Sequence, residues 1–84
     1  MEIKKVIVTQ RFERDLKIVK DSLTKLKIEK QIKKIIHDPV VGKPLRYNLK
    51  GERSVYIKPF RLIYSIENNT LVLLRFEHRK KAYR

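Results

Sequence analysis

"RLIYSIENNTLVLLRFEH", residues 61–78, decides how this chain of 84 residues folds. Two runs of β-branched and other large apolar residues, 61–66 and 70–74 running on to Phe76, flank Glu67, Asn68 and Asn69. Asparagine tolerates positive φ, so the flanking runs read as two antiparallel strands joined by a tight turn. Upstream, "RSVYI" (53–57) has the same β-rich character and is cut from the hairpin by Lys58 and Pro59. At the other end, "IKKVIV" (3–8) is short and β-branched, a first strand.

Between residues 8 and 40 the period changes. Thr9 stands where a helix cap belongs, and Phe12, Leu16 and Val19 follow at helical spacing. Asp21 and Ser22 interrupt that helix. A second one follows, with Leu26 leading into Ile28, Ile32, Ile35 and Ile36, and Lys27, Lys30, Lys33 and Lys34 spread over its remaining surface. Pro39 ends it, because the residue before proline avoids helical dihedrals. The loop 40–51 carries Gly42 and Pro44. The order β-α-α-β-β-β predicts an α+β fold in one domain, 1–84. An antiparallel pair of helices is expected on one face of a mainly antiparallel, roughly four-stranded sheet.

Charge is the strongest compositional signal. Twenty-two Lys and Arg against nine Asp and Glu give a net +13, and the C-terminal half (43–84) carries +8 of it. Such an excess points to an anionic partner, of which nucleic acid, anionic lipid and an acidic protein are the choices; solubility alone is the plainer explanation. No cysteine is present, which fits a reducing cytoplasm. The longest apolar run, residues 71–74, is far short of the roughly 18 residues of a membrane span. The N-terminus reads straight into a strand, so no signal peptide is expected.

Side chains alternate along a strand, and parity then sorts the hairpin into two faces. Leu62, Tyr64 and Ile66 share one face with Val72, Leu74 and Phe76, apolar enough to receive the helices. Arg61, Ile63 and Ser65 share the other with Leu71, Leu73, Arg75 and Glu77, rimmed by Tyr56 and Lys58, with Arg79 following if the strand runs on. A basic sheet face with interleaved aromatics suits single-stranded RNA, held by phosphate contacts and base stacking. An ordinary solvated face is the alternative, and the scarcity of acids weighs against it. Glu77, the one carboxylate in the set, reads first as a group that orients an arginine and second as a general base. Arg75 could be its salt-bridge partner.

Other chemistries lack their residues. His37 and His78 have no cysteine or paired carboxylates at ligand spacing, so no metal site is expected, and His37 suits a helix end. Gly42 and Gly51 do not make a phosphate loop, and Ser54 and Ser65 lack triad partners. No cofactor is expected.

Three segments together carry a family resemblance. They are Leu-Lys-Gly at 49–51, aromatic-Arg-aliphatic-Ile-Tyr at 60–64, and His-Arg-Lys-x-x-Tyr at 78–83. In this order and spacing, and with the leading strand and helix, the chain resembles the RelE toxins (RelE/ParE superfamily) of prokaryotic toxin–antitoxin pairs along nearly its whole length. That resemblance implies a messenger-RNA endonuclease of the ribosomal A site, in which the 2′-hydroxyl attacks the adjacent phosphate and no metal takes part. It implies Arg61 on the scissile phosphate, Arg79 near the leaving group, and Tyr83 stacking on a base or moving a proton. Lys58 joins them as a candidate proton acceptor. Lys50, Arg53, Tyr56, Arg75, His78, Lys80 and Lys81 are the expected RNA contacts.

The chain departs from the family pattern in one place. Bacterial members carry two lysines in the strand before the "FRLIY" segment, where this chain has Ser54 and Tyr56, with Arg53 and Lys58 displaced to either side. The base is therefore open among Lys58, Tyr56 and Tyr83. The resemblance also implies an acidic, partly disordered RelB-like antitoxin as partner, beside the ribosome and mRNA. Lys27, Lys30, Lys33 and Lys34 are either ribosomal RNA contacts or a plain solvated helix face. Two other functions stay open: ParE-like poisoning of DNA gyrase, and non-catalytic nucleic-acid binding.

Overall fold

A computed structural model describes residues 2–45 and 51–78 of the chain. Seven elements follow in order: β1 (Lys5–Val8), α1 (Gln10–Ile18), α2 (Ser22–His37), β2 (Lys43–Pro44), β3 (Arg53–Ile57), β4 (Phe60–Glu67) and β5 (Thr70–His78). The strands form one sheet in the order β1-β5-β4-β3-β2. β1 runs parallel to β5, and every other pairing is antiparallel. The α+β expectation holds. The sheet has five strands rather than roughly four, because Lys43–Pro44 pairs with Ser54 and Arg53 at the far edge. Two residues carry no periodicity, and a proline is tolerated in a strand at an edge.

Local chemistry explains the boundaries. The β4–β5 turn places Asn68 and Asn69 at φ 49° and 63°, the left-handed conformation expected of these residues. The Asn69 side-chain amide donates to the Glu2 carbonyl at 2.7 Å, and Lys4 N–H donates to the Asn69 carbonyl at 2.8 Å, so the turn also holds the N-terminal strand. Thr9 caps α1, its hydroxyl oxygen accepting from Phe12 N–H at 3.1 Å. Asp21 does not merely interrupt the helices. It caps α2, accepting from the backbone of Leu23 and Thr24 and from the Thr24 hydroxyl. The Thr24 hydroxyl leads the hydrogen bonds that hold the Asp21 carboxyl below its ordinary range.

The helices cover one sheet face, with α1 against β5 and α2 against β3. Phe12, Val19, Ile28 and Ile35 from the helical segment meet Ile57, Leu62, Tyr64, Leu71, Leu73 and Phe76 from the sheet. Leu26 and Ile36 lie at 58% and 38% exposure, off this stripe, so they are not core residues.

Parity along β5 needs a correction. Leu71, Leu73 and Phe76 face the helices together, although 73 and 76 differ by an odd number. The register explains it: Ile63 pairs with Arg75 and Tyr64 with Leu73, so Leu74 is an extra residue in a β-bulge. Leu71 and Leu73 thus belong to the core face, opposite to the expectation from strict alternation. Arg75 and Glu77 keep their predicted face because they lie beyond the bulge.

Tyr64 ties the sheet to the loop after α2. Its side chain is fully buried, and its hydroxyl donates to the Pro39 carbonyl at 2.7 Å while accepting from Gly42 N–H at 3.0 Å. A Cβ on Gly42 would stand 2.7 Å from that hydroxyl and 3.0 Å from the Ser54 carbonyl. Only glycine fits there. Replacing Tyr64 by Phe leaves two polar backbone groups without their partner, an expected loss of about 1–3 kcal/mol for each group in urea denaturation. Burial pushes the Tyr64 phenol above its ordinary value of 10.0. Such a group stabilises the fold fully below the unfolded value and loses that contribution as pH climbs towards the folded one. Wild-type stability should therefore fall above about pH 10, the unperturbed tyrosine value, and Tyr64→Phe should lack that part of the decline.

Candidate nucleic-acid interface

The sheet face away from the helices is organised in cross-strand rows. Tyr56, Arg61 and Glu77 form one row across β3, β4 and β5, and Ser54, Ile63 and Arg75 form the next. β4 is the middle strand of the five, so Arg61 stands on the best-supported backbone of the sheet. Tyr56 is 52% exposed, whereas Ile63 is fully buried.

Charges on this face alternate in a ladder. The Arg61 guanidinium donates to Glu77 Oε1 from both Nε, at 3.3 Å, and Nη2, at 3.2 Å. Arg75 Nε lies 3.7 Å from the same oxygen, and Arg75 Nη2 lies 3.0 Å from Glu52 Oε1. All four side chains are partly buried, at 16–25% exposure. The expectation that Glu77 orients an arginine is matched by this geometry. The expectation that acids are nearly absent is not. Glu52, one residue before β3, supplies a second carboxylate, and the described arginines of this face are each paired. A partner two strands away leaves no local pattern, so nothing in the sequence marks Glu52.

The other candidates divide by position. Ser54 and Tyr56 share the Arg61 face, and Lys58 is exposed in the β3–β4 turn. Arg53 points to the opposite side, paired with Tyr64, and its Nη1 donates to the carbonyls of Gly42 (2.7 Å) and Val40 (3.4 Å). There it braces the same loop that Tyr64 holds. His78 also lies with the helix-facing residues, paired with Phe60 and edge-on to its ring at 5.4 Å, while Phe60 stacks on Phe76 at 4.9 Å. Lys50, Arg79, Lys80, Lys81 and Tyr83 lie outside the described residues. The α2 lysines 27, 30, 33 and 34 are all exposed. Among the described residues no cluster of three or more His, Asp or Glu side chains is placed to hold a metal, and no helix is long and apolar enough to cross a membrane.

Sheet, helix pair and arginine-bearing face define a small basic α+β domain. A family model, the ParE toxin of type II toxin-antitoxin system, parDE, matches residues 6–83. The chain belongs to this family, within the RelE/ParE superfamily. It is 33% identical to a chain of the toxin–antitoxin complex RelBE2 from Mycobacterium tuberculosis, with a TM-score of 0.76 and 94% of each chain covered. The DinJ-YafQ toxin-antitoxin complex of E. coli has the same fold at 17% identity, with a TM-score of 0.77, over 98% of this chain and 99% of that one. Toxin RelG of Mycobacterium tuberculosis is 48% identical over 46 residues, 52% of this chain and 53% of its own length. The chain thus spans about half the length of that curated relative.

Arg53 and Tyr56 should separate by experiment. Arg53→Ala is expected to cost about 1–2 kcal/mol of stability, since it removes a charged donor from two carbonyls. If this face holds RNA, Tyr56→Ala should weaken that binding by about 1–3 kcal/mol, the range for loss of a stacking aromatic. Calorimetry and an RNA titration on each variant check both.

Proposed function

We propose that this toxin is a ribosome-dependent mRNA endonuclease acting in the cytoplasm, with an acidic RelB-like antitoxin as its partner. The observation that carries this reading is Arg61: a guanidinium on the middle strand, aimed by a carboxylate, beside an exposed tyrosine. Charge builds on the phosphoryl oxygens as the 2′-hydroxyl attacks, and a preorganised donor there is worth about 10²–10³ in rate. Arg79 is assigned to the leaving-group side and Tyr83 to stacking or proton transfer, by their place in the 78–83 motif. Tyr56 offers a stacking ring next to Arg61, and the run Arg79, Lys80, Lys81 adds phosphate contacts directly after β5. The exposed lysines of α2 suit ribosomal RNA. An acidic antitoxin complements the net +13. The RelBE2 and DinJ-YafQ relatives are toxin–antitoxin complexes, which supports the partner class.

Gyrase inhibition is the second reading, since the matching family model is that of ParE. A supercoiling assay detects it. The RNase reading expects mRNA breaks on translating ribosomes and unaffected supercoiling; intact mRNA with blocked supercoiling would reverse the assignment.

Two outcomes follow for the cleavage reading. Arg61→Lys keeps the charge but loses the fork that grips two phosphate oxygens. It should retain stability and most ribosome affinity, yet lose about 10-fold or more in single-turnover cleavage, as expected for a misplaced transition-state donor. Ribosome affinity should also fall steeply with salt, with a log–log slope equivalent to several phosphate contacts. A flat salt response would remove the electrostatic footprint.

A further inference from the structure

We propose that Glu77 is the general base of the cleavage, taking the proton of the attacking 2′-hydroxyl on Oε2 while Oε1 stays bound to the arginines. The proposal rests on the RNA-cleavage reading above and names the group that the sequence left open among Lys58, Tyr56 and Tyr83.

Two hydrogen bonds and one longer ion pair converge on one carboxylate oxygen. Arg61 Nε, Arg61 Nη2 and Arg75 Nε all address Glu77 Oε1, and among the described residues Oε2 makes no hydrogen bond. The carboxylate is therefore fixed in orientation with one oxygen committed to structure and the other available to substrate. Arg75 is anchored in turn by Glu52, so the mount extends across the sheet. With about a fifth of its side chain exposed, Glu77 is reachable from the face that carries Tyr56 and Arg61.

Chemistry favours this group over its neighbours. Carboxylates ordinarily reach neutral pH without a proton, whereas ammonium and phenol groups ordinarily carry theirs. A base that is already deprotonated needs no prior ionisation step. In the reaction the 2′-O–H proton passes to Glu77 Oε2, and the 2′ oxygen forms a bond to phosphorus. The P–O5′ bond breaks, and the 5′ oxygen leaves with the bonding pair and takes a proton from water. The hydroxide so formed recovers the proton from Glu77, restoring the carboxylate. The products are a 2′,3′-cyclic phosphate and a 5′-hydroxyl. Proton uptake has a second effect. Once neutral, Glu77 offsets less of the Arg61 charge as charge develops on the phosphoryl oxygens. Base and electrostatic stabiliser are thus one coupled pair.

The test is single-turnover cleavage of programmed ribosomes between pH 6 and 9, for wild type and for Glu77→Gln, with a melt and a ribosome titration beside it. Gln keeps an oxygen acceptor for the arginines and cannot take the proton. Wild type should be nearly flat with pH. The variant should melt and bind like wild type, cleave at least about 100-fold more slowly, the lower end for loss of a general base, and rise about tenfold per pH unit as hydroxide replaces the carboxylate. Unchanged cleavage by Glu77→Gln overturns the proposal. So does a slower variant whose pH profile parallels wild type, because that is the signature of a group that only positions Arg61. A wild-type rate climbing tenfold per unit across this range would also overturn it, without need of the variant, by pointing to an ammonium or phenol base. Absence of cleavage by wild type itself, with supercoiling blocked, would instead reject the underlying RNase reading.

Discussion

One extra residue, Leu74, holds the two functions of β5 apart. Without the bulge, strict alternation would put Leu71 and Leu73 on the face of Arg75 and Glu77. With it, both leucines and Phe76 pack under the helices while the charged pair faces outward. The bulge is held from the helical side. The Thr9 hydroxyl stands within donating distance of the carbonyls of Leu73, at 2.8 Å, and Leu74, at 3.0 Å, and Thr9 N–H donates to Leu73 as well. Two residues on, Phe76 N–H donates to Asp15 Oδ2 at 2.9 Å, where β1 has ended and no strand remains to accept it. One cap residue and one helical carboxylate thus satisfy the backbone that the irregular strand leaves over.

The hairpin, the turn asparagines, the Thr9 cap and the strand at 53–57 were legible because each is a local signal. The bulge was not, since four consecutive apolar residues at 71–74 give no alternation from which to read a phase. Glu52 was missed for a different reason: its partner Arg75 is remote in sequence and joined only by the sheet. Arg53 shows the opposite error. Its charge reads as surface for a ligand, yet the strand turns it towards the Gly42 carbonyl. Charge type was readable, but which face it served required the register.

The interface is accordingly less a diffuse basic patch than a short ladder of alternating charge. Paired arginines hold their geometry better than free ones, and a fixed guanidinium is what a developing phosphoryl charge needs. The exposed lysines of α2 lie on the helical side of the sheet and add positive charge there. Salt should screen those exposed lysines far more than the partly buried ladder.

End-group chemistry tests the central claim most directly. Purified protein is added to translating ribosomes, and the mRNA fragments are recovered and analysed by mass spectrometry. The expected result is a matched set of breaks within the A-site codon, with 2′,3′-cyclic phosphate on the upstream fragment and 5′-hydroxyl on the downstream one. Fragments bearing 5′-phosphate would contradict attack by the 2′-hydroxyl, and intact mRNA would contradict the reading of this face as a nuclease.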